Sequence, residues 1–194
     1  MRTSTIHRTT GETDIEVSLV LDGSGKHDID TGIGFFDHML TALCVHGGFD
    51  MNVKVKGDLY VDGHHSVEDT GIVLGKAFAE ALGDRSGIAR YGSFYIPMDE
   101  ALGFCSLDIS GRPYLVYKCE YKNQSTGQYD NFLTEEFMRA FAFNAGITLH
   151  LECLYGENDH HKIEALYKAL AHALKIAVSR NGSNEVLSTK GTLG

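Results

Sequence analysis

The chain has 194 residues, 43% of them hydrophobic and 22% charged, and carries a formal net charge of −9. These totals are typical of a globular protein with a sizeable apolar core, built as one domain or as two small halves. The acidic balance, without any Lys/Arg cluster, argues against a nucleic-acid partner. No apolar run approaches the roughly 20 residues of a membrane helix, and residues 1–14 lack the apolar segment of a secretory signal. We therefore expect a cytoplasmic protein without membrane association.

The four cysteines form no CxxC pair; they are Cys44, Cys105, Cys119 and Cys153. In a cytoplasmic protein such thiols are expected to be reduced and mostly buried. A single disulfide remains the alternative, because spacing alone does not decide between the two.

The first half of the chain predicts three strands and two helices. Alternating apolar and polar residues indicate strands, and apolar residues three or four positions apart indicate helices. Gly47-Gly48 and Gly83 should end the two helices, and Asp62 suits the N-cap of the second. In chain order, the expected elements are a strand at 14–21, a strand running back at 27–31, a helix at 35–46, a strand at 51–59 and a helix at 63–82.

The second half of the chain predicts a similar series of elements. They are strands at 91–100, 102–110 and 114–121, a helix at 134–146, a strand at 147–156 and a helix at 158–179. Thr134 and Asp159 are the expected caps of the two helices. The tail, residues 181–194, is rich in Gly and Ser and has no periodicity, which is typical of disorder. Residues 188–191 within it are a candidate phosphate contact.

An internal duplication accounts for the similarity of the halves. When CVHGGFDMNVKV (44–55) is laid over AFNAGITLHLEC (142–153), the order helix, strand, helix occurs twice. The period is too long for a solenoid repeat. Because the helices follow runs of strands, an α+β arrangement is favoured. We expect a single catalytic domain of two pseudo-symmetric repeats, about 1–85 and 86–180, followed by the tail.

Each repeat places the motif His-His-x-x-Glu at the start of a helix, in DGHHSVED (62–69) and NDHHKIEA (158–165). Imidazole and carboxylate are ligands for borderline divalent cations. On a helix Glu68 can converge with His65 at i+3 or with His64 at i+4. The two histidines are roughly 100° apart around the axis, so chelation of one ion by both is awkward. We expect them to serve different ions, with His160 and His161 supplying the matching ligands.

Other titratable residues are weaker candidates when taken alone. His38 and Glu136 occupy equivalent places in the two repeats and are further candidate ligands, whereas His46 matches an asparagine. Glu12 alone indicates a turn residue, and Lys168 a helix-surface partner of Glu164. Arg90 and Arg112 alone indicate surface charges, and a structural or exposed role is expected for His7, His27, His150 and His172.

Seven motifs spread over nearly the whole chain occur in the order found in one enzyme family. They are RTTGETD (8–14), FFDHML (35–40), DGHHSVEDT (62–70), RYGSFYIPMDE (90–100), DISGRPY (108–114), NDHHKIEALYKA (158–169) and STKG (188–191). Together they resemble the imidazoleglycerol-phosphate dehydratases. The resemblance implies a hydro-lyase of L-histidine biosynthesis, which converts D-erythro-imidazole glycerol phosphate to imidazole acetol phosphate and water.

The resemblance also implies a fold, an assembly and a cofactor. The implied fold packs the helices between two four-stranded mixed β-sheets, as in ribosomal-S5-domain-2-like proteins. The implied assembly is a 24-mer of trimers with metal sites at subunit interfaces. The implied cofactor is two Mn²⁺ ions per active site, and family members often carry a histidine where this chain has Glu136. The implied ligands are His38, His65, Glu68 and His161 for one ion, and His64, His160, Glu164 and Glu136 for the other.

Catalytic and substrate-binding roles follow from the same resemblance. Glu12 is the candidate acid and base, with His46 as a second candidate for protonating the leaving hydroxyl. The remaining substrate contacts, chiefly to the phosphate, are Arg90, Asp99, Arg112, Lys168, Ser188 and Lys190. We hypothesise that the two ions hold the substrate ring as a metal-bound imidazolate, which expels hydroxide and makes the neighbouring C–H acidic.

Two other classes of function remain open at this point. A two-metal hydrolase, such as a phosphatase, generally has more bridging carboxylates and two ions about 4 Å apart. A non-catalytic protein that uses metal only to join subunits would also need histidine clusters.

Overall fold

The computed structural model describes residues 1–193 and shows an α+β fold with two similar halves. The first half contains β1 (Thr3–Thr9), β2 (Thr13–Val20), β3 (His27–Asp30), α1 (Gly34–Gly47), β4 (Asp50–Gly57) and α2 (His64–Leu82). The second half contains β5 (Tyr91–Met98), β6 (Ala101–Asp108), β7 (Tyr114–Lys118), β8 (Ser125–Thr126), β9 (Tyr129–Asp130), α3 (Leu133–Ala145), β10 (Thr148–Tyr155) and α4 (Asp159–Ala177). Within residues 1–193, no helix combines the length and apolarity needed to span a bilayer.

The two four-stranded sheets share one topology. Their strand orders are β1-β2-β4-β3 and β5-β6-β10-β7. In each sheet the first three strands pair antiparallel and the fourth pairs parallel to the third. Alternate residues of β2 (Ile15, Val17 and Leu19) are fully buried, because successive side chains of a strand point to opposite faces. The expected duplication and the mixed α+β architecture are confirmed.

The helices lie between the sheets and pair across the halves. Helix α1 packs against α4, and α2 packs against α3. The second pair approaches closely because Gly71 and Gly75 face α3. A Cβ on Gly71 would lie 2.8 Å from the Phe137 carbonyl oxygen, and a Cβ on Gly75 would lie 2.7 Å from that of Phe141. The core is therefore shared by both halves, and residues of one half are carried next to residues of the other.

Several expectations about local structure were wrong. Strand β1 was not expected from the alternation in the sequence. Strand β3 does run back, antiparallel to β2, but it pairs with β4 at the edge of the sheet. The turn at 22–25 thus opens into a crossover to the far edge of the sheet. Strand β7 ends at Lys118, and the chain then forms a loop. In the tail, the Leu187 carbonyl accepts a hydrogen bond from Arg90 and the Glu185 carbonyl accepts one from the Gly87 N–H, so this part of the tail has defined contacts.

The helix caps also differ from those expected. The N-cap of α4 is Asn158, whose side chain accepts the His160 N–H, while Asp159 is the first residue inside the helix. Thr134 lies inside α3, where its buried hydroxyl contacts the Tyr129 hydroxyl. Asp62 accepts the His64 N–H from one position before the N-cap of α2. The three helices begin within one residue of the expected positions, and the histidine pair of each motif lies in the first turn of its helix.

Candidate metal centre and active site

A cluster of two imidazoles and one carboxylate joins the two halves. His38 projects from α1, and His160 and Glu164 project from α4, which packs against it. One ligand atom from each lies within 4.8 Å of the others. The Glu164 Oε2 is 3.2 Å from the His160 Nε2 and 3.6 Å from the His38 Nε2. Within residues 1–193, this is the only group of three or more such ligands that converges in this way.

The donor set of this cluster fits a borderline divalent cation. Two imidazole nitrogens and a carboxylate oxygen are its preferred ligands, and three protein ligands leave room for a water or a substrate atom. Lys168 donates to the other oxygen of Glu164 over 2.7 Å, so Oε2 stays free to face the imidazoles. Burial raises the pKa of Glu164, but the hydrogen bond and charge of Lys168, together with the charges of His38 and His160, outweigh it, and the net shift is downward. The carboxylate is therefore available in its charged form.

The equivalent place at the start of α2 holds a smaller group. The His64 Nε2 lies 3.5 Å from the Glu68 Oε2, so of the two geometries open to Glu68 the structure shows the i+4 one. Glu136 occupies the position in α3 that His38 occupies in α1. Its carboxylate lies 3.7 Å from the Arg139 Nε and is partly exposed. His64 also lines a cavity of about 450 Å³ beside the start of α2.

The second histidine of each motif has a different environment from the first. His65 donates Nδ1–H to Asp58 over 3.0 Å, and His161 donates Nδ1–H to Glu100 over 2.8 Å. A carboxylate on one ring nitrogen fixes the tautomer and leaves Nε2 unprotonated, so that Nε2 could act as a metal ligand. The hydrogen bond to Asp58 raises the pKa of His65. Both rings are thus oriented by groups that lie outside the motifs.

Hairpin turns of the sheets supply carboxylates to these second histidines. Glu12, in the β1–β2 turn, places its carboxylate 3.7 Å from the His65 Nε2. Asp99 and Glu100 form the two-residue β5–β6 turn, with Asp99 in a left-handed conformation at φ 48°. The Asp99 carboxylate lies 3.7 Å from the His161 Nε2. In each half, therefore, a carboxylate of a hairpin turn lies near the Nε2 atom of the second histidine of the motif.

Glu100 is held more firmly than Glu12. Its Oε1 accepts the backbone N–H of Asn158 over 2.7 Å and that of Glu157 over 3.0 Å, which ties the turn to the start of α4. Hydrogen bonds from the backbone N–H of Asn158, the side chain of His161 and the backbone N–H of Glu157 lower the pKa of Glu100 to about 2. Glu100 is consequently a charged acceptor at every pH at which the protein is expected to work.

A separate cavity of about 860 Å³ carries the expected phosphate ligands. It is lined by Arg90, Tyr91 and Arg112 and by the tail from Glu185 to Lys190. Arg90 is buried and already engaged: it makes two bonds to Asp108, of 2.7 and 3.0 Å, and donates to the Leu187 carbonyl. Arg112 is 63% exposed, and Ser188 and Lys190 line the same cavity. Lys168 lies with Glu164 and is not part of this cavity's lining.

His46 lies in a second contact between α1 and α4. Its Nδ1 is 3.3 Å from the Nε2 of His172, and the His172 ring stacks on Phe94 with centroids 4.4 Å apart. Burial and the charge of Lys168 lower the pKa of His46, and burial also lowers that of His172. His172, expected to be structural or exposed, is therefore the direct neighbour of a candidate catalytic residue.

Sequence reasoning missed three residues that support the site: Asp58, Glu100 and Asn158. Asn158 lies two residues before the first histidine of the second motif, and the expected cap was its neighbour Asp159. The resemblance groups His38 with His65, Glu68 and His161, whereas one chain brings His38 to His160 and Glu164. Neither implied set of four ligands is assembled within residues 1–193 of a single chain.

Comparison with known proteins shows the family to which the chain is similar. Residues 31–174 match the family model described as imidazoleglycerol-phosphate dehydratase. Enzymes of that name from Clostridium botulinum and Clostridium kluyveri are 57% and 56% identical over 97% and 100% of this chain, and over 96% and 100% of their own lengths. The crystal structure of the Staphylococcus aureus enzyme has a TM-score of 0.84 at 40% identity, covering 92% of this chain and 99% of that one.

A second solved structure has the same overall similarity. It is that of the Pyrococcus furiosus protein in complex with (S)-C348, with a TM-score of 0.84 at 39% identity over 97% of this chain and all of that one. The family model covers most of the chain, and the identities extend over nearly its full length. The chain belongs to the imidazoleglycerol-phosphate dehydratase family, a family of hydro-lyases.

Proposed function

We propose that this chain dehydrates D-erythro-imidazole glycerol phosphate to imidazole acetol phosphate, in L-histidine biosynthesis, with two manganese ions per active site. The observation that carries the metal requirement is the convergence of His38, His160 and Glu164 from both halves. Family membership supports the reaction and the small phosphate substrate. Cytoplasmic location is part of the same proposal, as is a single catalytic domain of repeats 1–85 and 86–180 with a tail.

The residues that would hold the two ions are the eight histidines and glutamates inferred from the sequence. When bound, the ions would supply positive charge that lowers the pKa of a ring N–H of the substrate. His38, His160 and Glu164 form one group, and His64 and Glu68 form the pseudo-symmetric counterpart. His65 and His161 present Nε2 atoms whose orientation is fixed by Asp58 and Glu100. By the family resemblance one ion would be shared by His38, His65, Glu68 and His161, and the other by His64, His160, Glu164 and Glu136, so each four-ligand set would draw on more than one of these groups.

Glu12 is the candidate for the residue that moves the proton. Its side chain is 55% exposed, so it can meet a substrate without unfolding the β1–β2 turn. Its carboxylate lies beside the Nε2 atom of His65, a candidate metal ligand. The proton acceptor would therefore lie next to an ion that holds the substrate ring. A base in that place would take the proton from the carbon next to the one that loses hydroxide. Proton transfer by a positioned side chain is worth about 10²- to 10⁴-fold in rate.

The cavity between Arg112 and the tail is suited to hold the phosphate away from the reacting carbons. Arg112, Ser188 and Lys190 supply two cationic groups and a hydroxyl, and an arginine makes bidentate contacts to phosphate. Arg90 serves chiefly to hold the tail in place, through its bond to the Leu187 carbonyl. Binding energy gained at this remote group would orient the imidazole end of the substrate.

The proposed assembly is a 24-mer of trimers in which neighbouring subunits complete each metal site. The separation of the eight candidate ligands into smaller groups within one chain supports this, because four-ligand sites then need a second copy. Metal removal should therefore weaken the assembly as well as the activity.

Metal analysis and product analysis on the purified protein test the proposal. We expect two manganese ions per chain and conversion of imidazole glycerol phosphate to a ketone, lost on chelation and restored by manganese. His38→Ala should lower the metal content, whereas His27→Ala, in an exposed histidine of β3, should not. Release of inorganic phosphate would favour the hydrolase, and metal-dependent assembly without turnover would favour the purely structural protein.

A further inference from the structure

Two cysteines lie side by side where β7 leaves the second sheet. Strand β7 pairs parallel to β10 with Lys118 opposite Glu152. Cys119 and Cys153 are the next residues on the two segments, so the same offset places them opposite each other. Neighbouring strands are about 4.7–4.9 Å apart, inside the 4.4–6.8 Å Cα separation that a disulfide spans.

The two thiols differ in acidity. A hydrogen bond from Cys119 lowers the pKa of Cys153; burial opposes this shift, and the Lys162 ammonium adds to it. The same contact, together with burial, raises the pKa of Cys119. Cys153 is therefore the thiol that ionises first, with Cys119 beside it as a protonated partner. A thiolate next to a second thiol is the arrangement found in redox-active pairs.

The pair is accessible, unlike the other two cysteines. Cys119 and Cys153 are half-buried and line an open cavity of about 750 Å³, together with Tyr121, Tyr155 and Lys162. Cys44 and Cys105 are buried. Burial raises the pKa of Cys44 to about 11 and also raises that of Cys105. A small polar oxidant thus reaches one pair of thiols and not the other.

We propose that hydrogen peroxide converts Cys119 and Cys153 into an intramolecular disulfide. The Cys153 thiolate attacks one peroxide oxygen and breaks the O–O bond, giving a sulfenic acid and, after protonation, water. The Cys119 sulfur then attacks the Cys153 sulfur, the S–O bond breaks, and a second water leaves with the Cys119 proton. Two thiols are oxidised and one peroxide is reduced. This inference does not depend on the proposed function.

The bridge would form next to the support of α4. Lys122 and Asn123, just after Cys119, donate backbone N–H groups to Asp159 at the first turn of α4. Lys162 also donates to the Glu120 carbonyl over 2.9 Å. Oxidation therefore fastens the 119–123 loop covalently to β10, in addition to its existing contacts with α4.

Peptide mapping after peroxide treatment tests the inference on the full-length protein in its native assembly. Native protein is exposed to hydrogen peroxide, alkylated under denaturing conditions and digested. We expect two of the four thiols to be lost, with one disulfide-linked peptide pair containing Cys119 and Cys153. In Cys119→Ser, a sulfenic acid on Cys153 should persist and be trapped by dimedone. In Cys153→Ser, Cys119 should remain a free thiol.

Four results would overturn the inference. They are alkylation of both thiols after treatment, a bridge between different chains, earlier loss of Cys44 or Cys105, and a trapped sulfenic acid on Cys119. The mapping of the unaltered protein decides the matter even where a variant folds poorly. Cys44→Ser serves as the control, since it should leave the bridge unaffected.

Discussion

Replacing Glu100 with glutamine tests whether the orientation of the His161 ring matters for metal binding, because the variant keeps His161 itself. In the structure Glu100 Oε2 accepts the Nδ1–H of His161 over 2.8 Å, while Oε1 accepts two backbone N–H groups at the start of α4. The amide oxygen of glutamine keeps the two backbone bonds. Its NH₂ group then faces Nδ1, which favours the tautomer with the proton on Nε2. The nitrogen needed for metal is thereby blocked while the helix start is retained.

The expected effect is a loss of manganese affinity without a loss of fold. Partners that orient metal-bound histidines are typically worth about 10- to 100-fold in affinity. We expect the dissociation constant of the ion bound through His161 to rise by that factor in an EPR titration, with the circular dichroism spectrum unchanged. Asp58→Asn should act in the same way through His65, whose Nδ1 it faces at 3.0 Å. Glu80→Gln, in an exposed residue of α2, is the matched control.

A manganese affinity of Glu100→Gln within threefold of the control would refute this reasoning. The hydrogen bond would then be a surface contact without influence on the ligand. A shift in affinity accompanied by loss of the α4 helix signal would instead assign Glu100 to the support of the helix.

Three further predictions concern turnover, substrate affinity and stability. Glu12→Gln should lower kcat about 10²- to 10⁴-fold with manganese affinity unchanged, and retained turnover would remove it from the reaction. Arg112→Ala should raise KM for the phosphate substrate about tenfold with manganese affinity unchanged; an unchanged KM would place the phosphate elsewhere. Because the pKa of His46 is lowered in the folded protein, the unfolded chain binds the proton more readily, and stability falls as pH drops through the ordinary histidine value of 6.5. Chemical denaturation between about pH 7 and 5 should show a smaller fall for His46→Asn, and an equal fall would contradict the shift.

The elements with strong periodicity were predictable, and the edges of the sheets were not. Helices α1 and α2 begin and end within two residues of the expected bounds, because glycines and apolar spacing mark them locally. The pairing of β3 with β4 instead of β2 depends on a crossover, which no local pattern encodes. Strand β1 has polar residues at most positions and is stabilised by pairing with β2, so its alternation is weak.

The candidate site was predictable where it lies within a motif. The duplicated His-His-x-x-Glu pattern predicted the histidines at the starts of α2 and α4, because residues four apart share a helix face. The contact of His38 with His160 depends on packing between helices of different halves and needs the fold. Asp58 and Glu100 lie in a loop and a turn, seven and sixty-one residues before the imidazoles they orient. Sequence distance gives no signal for such pairs.

The pairing of α1 with α4 and of α2 with α3 has an evolutionary consequence. A polypeptide with only one half would leave the inner faces of its helices bare, and it would have to associate with an identical copy to cover them. In such a homodimer the places now held by His38 and Glu136 would carry the same residue. When the two copies are joined in one gene, their residues no longer need to be identical. One copy can then carry an imidazole where the other carries a carboxylate, and the two candidate cation sites could acquire different affinities.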